Sequence, residues 1–284
     1  MVWRLSAGNN RIVVTFLLAL CLTCLCGCDL GEALRADTEM EGVIILIYHH
    51  LVEGEARDDS EINVLDFARQ MDYLADNNYQ TLSLDELMYC HREGKFPPRG
   101  VLITFDDGYF SFYEHAYPIL VQHNQRATIF PVVSFTPGLQ RRINWSDHLT
   151  FHHLRYMSKE SGLIDIGSHT FDLHFTWEDE RPAIMRRKGE GDEHYLGRIR
   201  KDLLVSKELL ELETDHQIIS LAWPYGETTR ETAKIAHELG YKLLFTTNPG
   251  LFTSESSLAS IPRNHVQTGS LEDFIQLLHT LGGD

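Results

Sequence analysis

Two adjacent carboxylates, Asp106 and Asp107, follow the apolar run 101–105 and precede Gly108. A strand that ends in this way presents its acids at the rim of a sheet, where open α/β and barrel folds hold their reactive groups. Because neighbouring strand residues point to opposite sides, we expect one acid to bind a metal and the other to move a proton. A simple turn is the competing interpretation, since Asp and Gly are common in turns.

A second segment, about sixty residues further on, favours the chemical interpretation. It carries His169 and His174 within the sequence Ser-His-Thr-Phe-Asp-Leu-His. Two imidazoles and one carboxylate form the three-ligand set typical of a catalytic zinc site that keeps an open position for water. The two segments together predict a hydrolytic metal site.

Alternating strands and helices must position these residues. Buried strands are predicted at 43–48, 101–105, 127–133, 163–168, 218–222 and 242–246. Helices are predicted at 63–77, 85–91, 110–122, 148–158, 195–212, 229–239 and 271–281. A polar insert at 178–192 departs from this rhythm and is expected to form a rim loop. The alternation favours parallel pairing within a single α/β domain.

The N-terminus predicts export. Arg4 and Arg11 precede an apolar run at 12–25 that is short for a membrane span and typical of a secretory signal. The sequence Leu-Cys-Gly-Cys at 25–28 resembles a bacterial lipobox, with 1–27 removed and Cys28 lipidated. Cys26 stands where Ala or Ser is usual, so an uncleaved signal anchor is the alternative. Either outcome gives an exported, membrane-anchored protein in the periplasm or at the cell surface, with 28–42 as a tether and 43–284 as the domain.

Composition limits the class of partner that the protein can bind. The net charge is −16, and it becomes −18 once the segment carrying Arg4 and Arg11 is removed. Such an acidic body argues against nucleic-acid binding. Cys90 is the one cysteine outside the signal and lipobox, so no structural disulfide is expected.

Three ordered motifs carry a family resemblance. Thr-Phe-Asp-Asp-Gly at 104–108, the pair His169 and His174, and Trp-Pro-Tyr-Gly at 223–226 resemble the polysaccharide deacetylases of carbohydrate esterase family 4, the NodB-homology enzymes. Finer features resemble the poly-β-1,6-N-acetylglucosamine deacetylases of biofilm formation: Phe-Ser-Phe-Tyr at 110–113, the five-residue step between the histidines, Glu227 after the third motif, and Ser-Ile-Pro-Arg at 260–263. The likeness covers residues 43–266.

The resemblance implies a distorted (β/α) barrel with its site at the C-terminal ends of the strands. It implies that Asp107, His169 and His174 bind a divalent metal, with zinc expected first and nickel, cobalt or iron compatible. It also implies that Asp106 is the general base and that the backbone amide of Tyr225 contacts the developing oxyanion. The implied reaction is N-deacetylation of an exported N-acetylglucosamine polymer, with release of acetate.

This sequence departs from the broad family at Ala222, where many members carry an arginine that orients the base. Arg263 could replace that arginine from another strand. The general acid is also open. His265 and His49 are candidates, and a hydrogen-bonded rim histidine is the competing interpretation for His49.

Trp223 and Tyr225 could stack on sugar rings, and core packing is an equal alternative for Trp223. The polymer is open as well: peptidoglycan or chitin oligomers would suit the same chemistry. A polysaccharide-binding lipoprotein without catalysis is the alternative from another functional class, although a binder has no need to retain Asp106 beside metal ligands. The expected partners are the polysaccharide, a membrane through the lipid anchor, and exopolysaccharide export machinery.

Overall fold

A computed structural model describes residues 41–139, 148–267 and 269–283 of the chain. The predicted signal segment 1–27, the lipidation site Cys28 and nearly all of the predicted tether lie outside the described residues. No helix in the described ranges is both long enough and apolar enough to cross a membrane.

The described chain alternates short strands with helices. The strands are β1 Val43–Tyr48, β2 His50–Val52, β3 Glu61–Asn63, β4 Gln80–Thr81, β5 Gly100–Asp107, β6 Ala127–Pro131, β7 Ile164–Ile166, β8 Ser220–Ala222, β9 Leu243–Phe245, β10 Leu251–Phe252 and β11 Asn264–His265. The helices are α1 Val64–Asp76, α2 Leu84–Glu93, α3 Tyr117–Gln122, α4 Phe151–Ser161, α5 Asp192–Thr214, α6 Arg230–Glu238 and α7 Leu271–Gly282.

Strand pairing closes a distorted barrel. Strands β1, β5, β6 and β7 pair in parallel, and β8 pairs with β9 in parallel. A single bridge between Ser168 and Leu221 joins β7 to β8, and another between Phe245 and Ile261 joins β9 to the segment that leads into β11. Strand β11 then pairs in parallel with β1 and completes the ring. Single bridges in place of full ladders are the source of the distortion.

Burial explains why these segments form a barrel. Every residue of β1 and β5 is buried, as expected for parallel strands covered on both faces. Each helix packs an apolar face on the barrel. The first turns of α1, α2 and α4 are capped by the side-chain oxygens of Asn63, Ser83 and Thr150, respectively. Because β1, β5 and β6 pair in parallel, their carboxyl ends lie together at one rim of the barrel.

The structure confirms the α/β barrel, and most predicted elements lie within a few residues of their observed bounds. Several predictions were wrong in detail; the helix predicted at 148–158, for example, is α4 at Phe151–Ser161. The helix predicted at 110–122 is a π-helical turn at Phe112–Ala116 followed by α3, and the strand predicted at 127–133 ends at Pro131. Strands β2, β3, β4, β10 and β11 were not predicted, whereas β7, β8 and β9, which are also short, lie within predicted apolar runs.

Candidate active site

Asp106 is fixed by a buried arginine. The Arg263 Nη1 and Nη2 atoms donate to its Oδ1 and Oδ2, each at 2.7 Å. Arg263 is fully buried, and it also donates to the Thr104 hydroxyl at 3.2 Å and the Thr246 carbonyl at 3.0 Å. Burial alone would raise the pKa of Asp106, but the charges of Arg263 and His169 lower it well below its usual range. Asp106 is therefore ionised at any working pH, and each of its oxygens retains a lone pair for a proton.

Asp107 meets the two histidines at its Oδ1 atom. The His174 Nε2 lies 3.2 Å from this oxygen and the His169 Nε2 lies 3.5 Å from it. Ligand atoms of these three residues all lie within 4.8 Å of one another. Burial alone would raise the pKa of Asp107. The neighbouring His174, His49 and His169 rings outweigh this effect and lower the pKa below its usual range.

The donor atoms of these three residues fit a cation. The His169 Nδ1 lies 2.8 Å from the Ala222 carbonyl, which can only accept, so this nitrogen carries the proton and Nε2 keeps its lone pair. Burial lowers the pKa of His169 to about 4, so the ring is neutral at working pH. The Asp107 Oδ1 atom is buried, and no group within 41–139, 148–267 or 269–283 donates a hydrogen bond to it. Lone pairs facing one another in a buried place are stabilised by a positive ion.

Strained backbone accompanies each motif. Asp107, Thr170 and Tyr225 adopt φ angles of 67°, 72° and 60°, in the left-handed region that β-branched and bulky residues avoid. At Gly226 a Cβ atom would lie 2.1 Å from the Thr247 Oγ1, so the third motif needs glycine there. Such backbone strain is found at functional sites, where the surrounding fold holds it in place.

The other predicted site residues differ in whether they line the site. Tyr225 is 44% exposed and its ring stacks on His174 with centroids 4.8 Å apart. His49 and His265 stack on one another at 5.7 Å at the end of β1, and the charge of His49 acts on both Asp106 and Asp107. Of the two interpretations given for Trp223, the structure supports core packing, because its side chain is fully buried and offers no face to a sugar.

The sequence reasoning missed Tyr109. Its ring lies between those of His50 and His148, with centroid distances of 4.7 and 5.0 Å. Burial raises the pKa of the phenol, and the charge of Asp107 raises it further, so Tyr109 belongs to the same site and remains protonated. Its position two residues after Asp107 was a usable signal, because residues that follow a reactive strand end tend to line the site.

The assembled groups suit hydrolysis of an amide. A carboxylate that is ionised at working pH lies beside a three-residue metal site, and aromatic and imidazole rings surround both. This arrangement provides a proton acceptor for water, ligands for an electrophile, and flat surfaces on which a pyranose ring can rest.

Comparisons with known proteins agree with this arrangement. The family model for polysaccharide deacetylases matches residues 93–244. The poly-β-1,6-N-acetyl-D-glucosamine N-deacetylase of Escherichia coli strain K12 is 31% identical over 262 residues, which is 84% of this chain and 38% of that protein. The Staphylococcus aureus strain MSSA476 enzyme of the same name is 28% identical over 74% of this chain and 69% of its own length.

Among solved structures, the deacetylase domain of BpsB from Bordetella bronchiseptica superposes with a TM-score of 0.68. It is 27% identical in sequence, and the alignment covers 80% of this chain and 97% of that domain. The chain thus spans well under half of the Escherichia coli relative but nearly all of the BpsB domain.

Proposed function

Because this chain belongs to the polysaccharide deacetylase family, we propose that it removes N-acetyl groups from an exported polymer of N-acetylglucosamine and releases acetate. The observation that carries the proposal is the pairing of Asp106 with Arg263 beside the cluster of Asp107, His169 and His174. A binding protein gains nothing from an ionised carboxylate that is held so rigidly next to a metal site.

Within this proposal the protein's own groups divide the work. Asp107, His169 and His174 would hold a divalent metal, and that metal would supply an electrophile for the water and for the acetyl carbonyl. Asp106 accepts the proton of the water that attacks the acetyl carbon. Because its pKa is low, Asp106 then releases that proton to solvent or to the imidazole that has protonated the departing amine, and both groups return to their starting states. The charge of His49 influences both Asp106 and Asp107, and we assign to this ring the transfer of a proton to the departing amine.

The proposed polymer is poly-β-1,6-N-acetylglucosamine. Two relatives with 28% and 31% identity carry the name of that activity, and the chain has the sequence features that resemble this branch. The proposed metal is zinc, since two imidazoles and a carboxylate are a common zinc set. Peptidoglycan and chitin oligomers are the competing substrates.

The proposed location is the outer side of a membrane. The support is the signal-like segment 12–25 and the lipobox at 25–28, which would place a lipid on Cys28 next to the export machinery of the polymer. Replacement of Cys28 by alanine should abolish incorporation of radiolabelled palmitate and release the protein from membranes. Retained labelling would refute this location.

The activity is tested by acetate release from three substrates: β-1,6-linked N-acetylglucosamine oligomers, chitin oligomers and peptidoglycan. We expect release from the first, and loss of at least about 10²-fold in Asp106→Asn at unchanged zinc content. Asp165→Asn is the matched control, because Asp165 lies in β7 and its carboxylate accepts from the Leu84 amide, away from the site. Full activity in Asp106→Asn would refute the base, and no release from any polymer would refute the enzyme.

A further inference from the structure

The loop that carries both histidine ligands has weak support on one side. It runs from the end of β7 through Thr170 to His174 without regular secondary structure. A cavity of about 1110 Å³ lies between this loop and α5, and its lining includes Phe171, Asp172, Phe175, Asp202 and Val205. Phe171 and Phe175 line this cavity and are only partly buried against the core, so hydrogen bonds to the backbone contribute to holding the loop on this side.

Asp202 supplies the missing support from α5. Its Oδ1 accepts the Phe171 amide at 2.8 Å and its Oδ2 accepts the Asp172 amide at 2.9 Å. These two amides lie between the two histidine ligands in sequence. On the opposite side the Ser134 amide donates to the Phe171 carbonyl at 2.8 Å, so the same short segment is held from both directions.

The bidentate contact is costly to maintain. Burial raises the pKa of Asp202 to about 7, and the two amide donors oppose this only in part. Two nearby charges also act on Asp202: that of Asp172 raises its pKa further, and that of Arg198 lowers it. Burial raises the pKa of the Tyr241 phenol, and the charge of Asp202 in turn raises it further. A carboxylate retained at such a cost is typical of a functional position.

We propose that Asp202 is a positioning residue for the metal site, whose carboxylate fixes the backbone between His169 and His174 so that both Nε2 atoms converge on Asp107. The inference rests on the ligand set named in the proposed function and does not depend on which polymer is hydrolysed. The two carboxyl oxygens of Asp202 accept one amide each, and Asn cannot replace them, since it offers one acceptor oxygen and a repelling NH2 group.

The test is zinc affinity of the full-length chain, measured by competition with a chromophoric chelator at pH 8. We expect Asp202→Asn to bind zinc about 10- to 100-fold more weakly than the wild type, as is usual for residues that orient metal ligands. Glu193→Gln is the matched control, because Glu193 is an exposed carboxylate on the same helix and the same cavity wall. Equal zinc affinity in Asp202→Asn and the wild type would overturn the inference.

A measurement on the wild type covers the case in which the variant does not fold. Hydrogen exchange of the Phe171 and Asp172 amides should be slow in the metal-free protein at pH 8, because both are bonded to an ionised carboxylate. Free exchange of both amides would overturn the inference. Absence of acetate release with a normal zinc response would instead count against the proposed function alone.

Discussion

Replacement of Arg263 by alanine removes the guanidinium that holds Asp106. The change deletes both bonds to the Asp106 carboxylate and the bonds to Thr104 and Thr246. It leaves a carboxylate that is 3% exposed without its counter-charge. Metal ligation should survive, because Arg263 has no hydrogen bond to Asp107, His169 or His174 among the described residues.

The expected magnitude follows from burial. Loss of one partner from a buried ion pair costs about 3–5 kcal/mol. At about 1.36 kcal/mol per unit of pKa, a loss of this size is worth more than two units. Without Arg263 the effect of burial would dominate, and the pKa of Asp106 would rise above that of an ordinary aspartate. A positioned base contributes about 10²- to 10⁴-fold to rate. We therefore expect kcat to fall at least about 10²-fold, while zinc content falls less than about twofold.

Acetate release, zinc content and thermal unfolding should be measured together across pH 5–8. Because the pKa of Asp106 rises in the variant, the ratio of its rate to that of the wild type should fall as pH decreases. Arg263→Lys should be intermediate, since one ammonium cannot hold both carboxylate oxygens. Leu278→Ala controls for instability: this buried α7 residue costs about 2–5 kcal/mol when truncated but lies outside the site.

An unchanged kcat in Arg263→Ala would refute the reasoning, and so would a loss of rate that merely follows the loss of zinc. A fall in kcat equal to that of Leu278→Ala would assign Arg263 to stability alone.

Four further outcomes are expected. His174→Ala should lose bound zinc, measured by elemental analysis, whereas the 75%-exposed His194 can be replaced by alanine with zinc retained. Tyr225→Ala should raise the KM for oligomers about 3- to 10-fold, because aromatic contacts of about 0.5–1.5 kcal/mol are lost. His49→Ala should lower kcat about 10²-fold at constant zinc, and an unaffected rate would exclude it as the acid. Asp202 has a folded pKa of about 7, above its unfolded value, so its stabilising contribution is present below about pH 4 and is lost as pH rises through 7. Metal-free Asp202→Asn should therefore gain stability relative to the wild type between pH 4 and 8, by at most about 4 kcal/mol in chemical denaturation, and a pH-independent difference would contradict this sign.

Long elements were predictable because their patterns are strong. The continuous apolar runs of β1 and β5 and the helical periodicity of α1 each give one interpretation. Strands β2, β3, β4, β10 and β11 were not predicted, because each has two or three residues and lies in no continuous apolar run, unlike the equally short β7, β8 and β9. Strand β11 matters most among them, since its register with β1 brings the preceding Arg263 under Asp106.

The sequence nevertheless suggested Arg263 as the partner of Asp106, because Ala222 left the base without an arginine at the expected position. No comparable gap pointed to Asp202. It lies in a 23-residue helix rich in charged residues, where a carboxylate ordinarily faces water. Only the fold shows that this side chain turns toward the histidine loop and accepts two of its amides.

The three motifs are recognisable for a reason that extends beyond their reactive side chains. Each contains a residue other than glycine in the left-handed backbone region, namely Asp107, Thr170 and Tyr225. Local propensity opposes all three conformations, so tertiary contacts must impose them. The Thr170 carbonyl accepts from the Val133 amide and its own amide donates to the Ser168 hydroxyl, so β6, β7 and the loop support one another. The positions of the metal ligands at this rim therefore depend on closure of the barrel. Single bridges at Ser168 and Ile261 are enough to close it and to place the ligands, although neither bridge extends into a ladder.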